Sequence, residues 1–475
     1  GVVTRRVDRH LKARMLDATL GPPGVAHLED PDVLDKIAIT RAPTTGITPG
    51  MAAGAVSQVA VARLLVIPPA VLLGMFRWWL PVVMGASLVW MRIVMRRHLM
   101  RSVETLMGKT ASIRQSQYFV DLALTPGAAK ESRVFGLRDW LEGRFRRHYL
   151  DAIRDVWKVR GRGQRRLVAP LLVAGMVTAL GYVTVGRAAA TGAIDLRELT
   201  VLIGALGGMR MLLSIGNEDV SLQHGAAVLP VQYEVEQMMA ARREAMAGNG
   251  RADGLPRQSI RFEDVHFRYP GGTHDVYQGI DLDIRAGQSL AIVGVNGAGK
   301  TTLVKLLARL HDPSEGRITV DGIDLRDLDP AAWQRRVAAI FQDFTRYELS
   351  AADNVGFGGL ELGGDRAALD AAAEQAGAAA IIDGLPRGWD TVLSRRFTDG
   401  TDLSGGQWQR LALARALLAV RNGAGILVLD EPTANLDVRT EAELYDRFLD
   451  ITRGLTTIVI SHRFSTVRRA DRIVV

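Results

Sequence analysis

The chain has 475 residues, 48% hydrophobic and 23% charged, with a mean hydropathy of +0.08. That is too apolar and too weakly charged for a disordered chain, and long enough for two to four domains with real cores. It has no cysteine, which excludes disulfide scaffolds, thiolate nucleophiles and cysteine-held metal clusters. Net charge is +8 but unevenly spread: residues 1–257 hold 34 Lys+Arg against 21 Asp+Glu, residues 258–475 hold 25 against 30.

Residues 1–49 carry seven Lys+Arg, and an apolar stretch follows over 50–91. Arg63 and Arg77 interrupt it, and Arg92 ends it. Pro68-Pro69 and the 74–79 segment predict a turn between two spans, with Trp78 and Trp79 suited to a membrane interface. Residues 92–166 hold 18 Lys+Arg against 7 Asp+Glu and read as a cytoplasmic connector by the positive-inside rule. Residues 167–186 are twenty residues without a charge, enough for one transmembrane helix. A short outer loop, 187–197, leads to a fourth candidate span at 198–222, broken by Arg210, Glu218 and Asp219. Arg63, Arg210, Glu218 and Asp219 are costly in lipid, so each is expected to face a cavity, a partner or an interface. Snorkelling or pairing between helices competes evenly with substrate contact.

Residues 246–257 are small, Gly-rich and Pro-containing, and read as a linker. Beyond it, Val265, Phe267 and Tyr269 alternate with polar residues as in a strand. Short apolar runs then recur at 289–294, 317–320, 337–341, 426–430 and 456–461, separated by helical patterns. Such runs suit strands covered by helices on both faces, an α/β domain. The final residues 473–475 read as an unfinished strand, so the chain is expected to be a piece cut at both ends.

Three motifs carry chemistry. Gly294-Val295-Asn296-Gly297-Ala298-Gly299-Lys300-Thr301, followed by Thr302, lies between a predicted strand and a predicted helix. That is the context of a phosphate-binding loop: glycines let the backbone wrap phosphates, Lys300 reaches them, and the Thr301 hydroxyl suits Mg²⁺. Asp430 and Glu431 end a buried apolar strand, where ligands of open α/β sheets gather. Asp430 can hold the metal shell, and Glu431 can polarise an attacking water. Ser404-Gly405-Gly406-Gln407 opens a helix and offers a hydroxyl and bare amides to an anion, although plain helix capping explains it as well.

In this order, the phosphate loop, LSGGQ (403–407), ILVLDEP (426–432) and the late Ser461-His462 pair resemble the ATP-binding cassette (ABC) ATPases. The preceding half resembles the membrane part of an ABC exporter half-transporter. The resemblance implies a multi-domain chain. An all-α transmembrane domain occupies 1–245, with about four of six helices; 246–257 is the linker; an α/β P-loop ATPase domain occupies 258–475. It implies ATP and Mg²⁺, and a homodimer or heterodimer with a second half-transporter in the lipid bilayer. Ser404, Gly405, Gly406 and Gln407 would then meet the ATP held by the opposite subunit. Tyr269 corresponds to the aromatic that stacks on adenine, Gln342 to a glutamine that touches Mg²⁺, Asp437 to an aspartate linking the two sites, and His462 to a histidine on the γ-phosphate. Residues 27–37 and 117–125 resemble, by position and pattern, the helices that dock on the ATPase domains. Implied are multi-pass residence in the cytoplasmic membrane, an ATPase domain in the cytoplasm, and two helices and a tail lying beyond the ends given. A soluble cassette ATPase acting on nucleic acid or ribosomes is the competing reading. The basic half suits it, but one cassette without heptads or insertion does not, and no nucleic-acid partner is expected.

Overall fold

The computed structural model describes residues 1–41, 47–107, 110–213, 217–295, 297–431, 454–461, 467–468 and 470–475. The chain divides into two compact units: Gly1–Leu20 with Pro31–Met239, and Gly21–Asp30 with Ala240–Val475.

The first unit is helical. Helix Val2–Leu20 is tied to helix Pro49–Leu64 by Asp8, whose carboxylate accepts from the Thr48 hydroxyl and the Gly50 amide, both at 2.8 Å. Thr48 caps that helix and Pro49 opens it, a favoured start. Only glycine fits at position 50, where a Cβ would lie 2.3 Å from the Thr4 carbonyl oxygen. Helix Ile67–Phe76 follows, and the chain turns at Arg77-Trp78 into helix Trp79–Met107, the turn expected between 74 and 79.

Among the described residues, three stretches are long and apolar enough to cross a membrane: Pro49–Phe76, Trp79–His98 and Arg165–Ala190. In their most apolar windows only 17%, 28% and 22% of the residues are buried, so their side chains mostly face outward. The inner faces meet in one core of Leu73, Leu80, Met84 and Leu88 against Val185, Leu206 and Met209. The expected fourth span, 198–222, is not one helix. It divides into Leu196–Met209, a short 3-10 turn Arg210–Leu213, and Asn217–Ala245. Its start is fixed by a capping box, with Asp195 accepting from the Glu198 amide and Glu198 from the Asp195 amide.

The basic connector 92–166 is largely helix. Trp79–Met107 runs on past its apolar part, and Arg138–Ala190 is one helix of 53 residues. At 1.5 Å per residue it is about 80 Å long, far beyond a hydrocarbon core of about 30 Å. The two pack along each other, and Thr110–Leu124 lies against the long helix through Phe119, stacked on His148 at 5.5 Å. That helix contains the 117–125 segment but for its last residue.

The second unit holds two sheets. Strands β1 (Ser259–Phe267), β2 (Tyr277–Arg285), β4 (Glu315–Val320) and β5 (Ile323–Asp324) form an antiparallel sheet in the order β2-β1-β4-β5. Strands β3 (Ser289–Ile292), β6 (Val337–Ile340), β7 (Ile426–Asp430), β8 (Thr456–Ile460) and β9 (Arg472–Val474) form a parallel sheet in the order β6-β7-β8-β3-β9. Every residue of β7 and β8 is buried, as expected of strands covered on both faces. The run 317–320 is the exception: it pairs antiparallel with β1, because an apolar run of four carries no signal of strand direction. Helix Lys300–Leu307 packs Leu303, Val304, Leu306 and Leu307 into one core, and helix Gly405–Arg421 packs Leu411, Leu417 and Leu418 into the other.

Residues 246–257 are bound into this unit. Ala252 and Leu255 are buried, and the Arg309 guanidinium donates to the Met246 carbonyl at 2.9 Å. The glycines allow close approach: a Cβ on Gly248 would lie 2.1 Å from the Leu328 carbonyl oxygen. The 21–30 segment belongs here too. The Val25 amide donates to the Leu310 carbonyl at 2.9 Å, Glu29 pairs with Lys305 at 2.9 Å, and Asp30 pairs with Arg242 at 2.7 Å.

Candidate nucleotide site

The loop between β3 and helix Lys300–Leu307 turns on two left-handed glycines, Gly297 with φ +85° and Gly299 with φ +90°. A side chain at Gly299 would be strained by φ and would also meet the Tyr277 ring at 2.9 Å. The Tyr277 hydroxyl donates to the Gly299 carbonyl at 2.7 Å and pins the loop, and burial pushes the phenol pKa up. Neither motif nor spacing singles out Tyr277, 22 residues earlier.

Lys300 folds back on the loop and donates to the Gly294 and Val295 carbonyls, both at 2.9 Å. The Thr301 hydroxyl donates to Asp430 at 2.7 Å, and Gln342 donates to Glu431 at 2.9 Å. These side chains come from three places: the helix start, the end of β7, and the residues just after β6. Parallel pairing of β6 with β7 sets the last two side by side. Asp430 is 2% exposed. Burial raises its carboxyl pKa, the Thr301 hydrogen bond opposes this, and the neighbouring Glu431 adds to it. Glu431 itself has φ +48°, a left-handed backbone that is costly for a non-glycine residue, and its amide donates to the Ile460 carbonyl at 3.0 Å.

Together these groups line a cavity of about 840 Å³, which Gly294, Thr302 and Val276 also border. Its donors suit a small hard cation: a hydroxyl, a buried carboxylate and an amide oxygen left free when Gln342 donates through nitrogen. Among the described residues no cluster of three His, Cys, Asp or Glu gathers elsewhere as a metal site.

Tyr269 borders the same cavity, just past β1. Its hydroxyl lies 2.9 Å from the Thr302 hydroxyl, and its ring meets Phe267 and His311 edge-on. Lys305 sits 4.9 Å from the ring centroid, between Tyr269 and Glu29. Burial opposes the charge on Lys305, but Glu29 and Tyr269 outweigh it and raise its pKa. Glu29 also lies 3.2 Å from the buried His311, whose pKa burial lowers.

Ser404 stands apart from the cavity-lining groups as the N-cap of helix Gly405–Arg421. Its hydroxyl accepts from the Gln407 amide, and its own amide donates to the Gln407 side chain at 2.8 Å, a reciprocal capping box. Gly405 and Gly406 form the first turn, where amides remain open. Ala298 lies in the loop beside Gly294. Asn296, Asp437 and His462 lie outside the described residues.

A phosphate loop at the strand end facing an acid pair marks a nucleotide-binding domain of P-loop type. The family described as ABC transporter matches residues 277–434. The chain is 43% identical over 216 residues to an ATP-dependent lipid A-core flippase of Chromohalobacter salexigens, 46% of this chain and 36% of that protein. It is 34% identical over 326 residues to the beta-(1→2)glucan export ATP-binding/permease protein NdvA of Rhizobium meliloti, 67% of this chain and 52% of that protein. The chain thus spans about half or less of the length of these curated relatives. A bacterial Atm1-family ABC exporter, solved with ATP bound, has the same fold with a TM-score of 0.76 at 24% identity, covering 99% of this chain and 81% of that one. The second unit is therefore an ABC ATP-binding domain. The chain belongs to the ABC transporters, with the make-up of an exporter-type half-transporter.

Proposed function

We propose that the chain is one subunit of a dimeric exporter that uses ATP hydrolysis to move a substrate across the cytoplasmic membrane. The observation that carries this is the convergence of Thr301 on Asp430 and Gln342 on Glu431 beside the glycine loop, in a chain that also has, among the described residues, three apolar helical stretches of membrane length. The amides of the glycine loop would hold the ATP phosphates, and Lys300 would leave the Gly294 and Val295 carbonyls to meet them. Thr301, Asp430 and Gln342 would hold Mg²⁺, which supplies charge neutralisation at the phosphates. Glu431 takes the proton of the attacking water, and its release from Gln342 frees it to do so. By the resemblance, His462 would act at the γ-phosphate, Asp437 would link the two sites, and Tyr269 would stack on adenine.

Ser404, Gly405, Gly406 and Gln407 complete the site of the opposite subunit. Both half-sites exist in one polypeptide, so a homodimer would hydrolyse at two sites; a second half-transporter would serve equally. The first unit crosses the bilayer, and the second works in the cytoplasm. Residues 27–37 and 117–125 would serve as the helices that dock on ATPase domains.

The test is ATP hydrolysis by the full-length protein in lipid nanodiscs beside its Glu431→Gln variant. Hydrolysis that vanishes in the variant while ATP still binds supports the reading. Undiminished hydrolysis in the variant rejects Glu431 as the base. A wild type that binds ATP without hydrolysing it rejects the homodimer.

A further inference from the structure

Lys305 stands on the helix that the phosphate loop opens, yet it does not border the nucleotide cavity. Its ammonium sits over the Tyr269 ring, 4.9 Å from the centroid, and pairs with Glu29 at 2.9 Å. Thr302 and Lys305 are spaced i and i+3, so their side chains leave the same face of helix Lys300–Leu307. Thr302 meets the tyrosine hydroxyl at 2.9 Å, and Lys305 covers the ring.

Two further rings set the plane of Tyr269. Phe267 lies 4.9 Å from it with the planes 78° apart, and His311 lies 5.4 Å from it with the planes 84° apart. Such near-perpendicular neighbours hold a ring against tilting. Of this group only Tyr269 and Thr302 border the cavity; Phe267, Lys305, His311 and Glu29 do not. Burial opposes the charge on Lys305, but Glu29 and Tyr269 outweigh it, so the ammonium stays charged beside the ring.

The ion pair with Glu29 alone would hold Lys305, but it does not require the ammonium to lie over a ring that borders the nucleotide cavity. A cation over one face of an aromatic ring draws π density toward itself. The opposite face then repels the π cloud of a stacked base less, and offset stacking on it strengthens.

We propose that Lys305, held by Glu29, is a positioning residue for the nucleotide base and acts through the Tyr269 ring. The proposal deepens the reading of Tyr269 as the ring that stacks on adenine, and it rests on that reading. Its effect falls on the base and not on the phosphates, because Lys305 stays outside the cavity.

The experiment measures binding of ATP and of inorganic tripolyphosphate to the full-length protein in lipid nanodiscs, with EDTA present to prevent hydrolysis. Tyr269→Leu should weaken ATP about tenfold, the scale of one stacked base, and leave tripolyphosphate unchanged. Lys305→Met should weaken ATP about threefold, the scale of a half-exposed cation–π contact, again without changing tripolyphosphate. Lys305→Arg, which keeps a cation over the ring, should restore ATP binding. Lys305→Met added to Tyr269→Leu should cost nothing more. Lys305→Gln takes the place of Lys305→Met if the latter does not fold. Unchanged ATP binding in the folded lysine variant, an equal loss for tripolyphosphate, or the same threefold loss without the tyrosine ring each overturns the proposal while leaving Tyr269 as the stacking ring. Unchanged ATP binding in Tyr269→Leu overturns the stacking reading and the proposal with it.

Discussion

The two units use the same apolar residues in opposite senses. In the second unit Leu427 on β7 is fully buried, with Ile426 and Val428 beside it. In the first unit Leu171 and Leu172 are 58% and 60% exposed within the apolar stretch Arg165–Ala190. The charges invert as well. The second unit buries a carboxylate, Asp430, next to a hydroxyl, whereas the first keeps arginines in a cavity among its spans. The difference teaches that one chain was fitted to two solvents. Water drives apolar groups inward, lipid does not, and ionisable groups inside either unit are held by polar partners.

The largest effect that would sharpen this contrast lies at the nucleotide site. Glu431→Gln should lower ATP hydrolysis in nanodiscs at least about a hundredfold, the range for loss of a general base, while ATP binding stays within about twofold. Thr301→Val tests the neighbouring contact. It strips the hydroxyl from Asp430 and should raise the Mg²⁺ concentration needed for half-maximal hydrolysis, read by titrating Mg²⁺ at saturating ATP. An unchanged Mg²⁺ dependence would break the assignment of Thr301 and Asp430 as one metal-holding pair.

Next come two leucines of equal size. Leu427→Ala should destabilise the protein by about 2–5 kcal/mol through lost burial and a cavity. Leu172→Ala should cost about 0.5 kcal/mol or less, since it faces outward. Thermal unfolding of both variants in the same nanodiscs checks this. Equal losses would mean that Leu172 is covered by another part of the assembly, and the picture of an outward apolar face would fall.

Much of this was legible in the residues because its chemistry is local. The loop 294–301, the acids 430–431 and the cap at Ser404 each sit within a few consecutive positions, and the strand around them is short and apolar. What was not legible depends on distance or on shared patterns. Residues 317–320 read like the parallel strands, but direction is set by the partner β1. The connector 92–166 was read by its charge, which says where a segment lies and not that it is helical; the long helix hides there because arginine is a good helix former. Arg63 and Asp219 were flagged singly as costly, but only the fold brings them to one cavity with Arg92 and Arg96. Asn296, Asp437 and His462 remain expectations of sequence alone. Glu29 lies in the 27–37 segment, but its ion pair is not legible in the sequence, because Lys305, its partner, lies 276 residues away.

That pair gives a smaller effect than the loss of a core leucine, and it bears on how the 21–30 segment is held. Glu29 faces Lys305 at 2.9 Å and His311 at 3.2 Å, with Asp312 and Tyr269 also acting on these groups. Glu29→Gln removes a half-buried ion pair and should cost about 1 kcal/mol, read as a lower Tm of the second unit. The histidine adds a pH signature. Burial holds the His311 pKa below its ordinary value of 6.5, so the folded state binds fewer protons than the unfolded one as pH falls through that value. Its contribution is therefore present above about pH 6.5 and is lost as the solution is acidified below it. His311→Gln should flatten the fall in Tm between neutral pH and pH 5 while leaving the Tm at pH 8 little changed. A variant that keeps the full acid sensitivity would show that His311 is not what ties the stability of this segment to protonation.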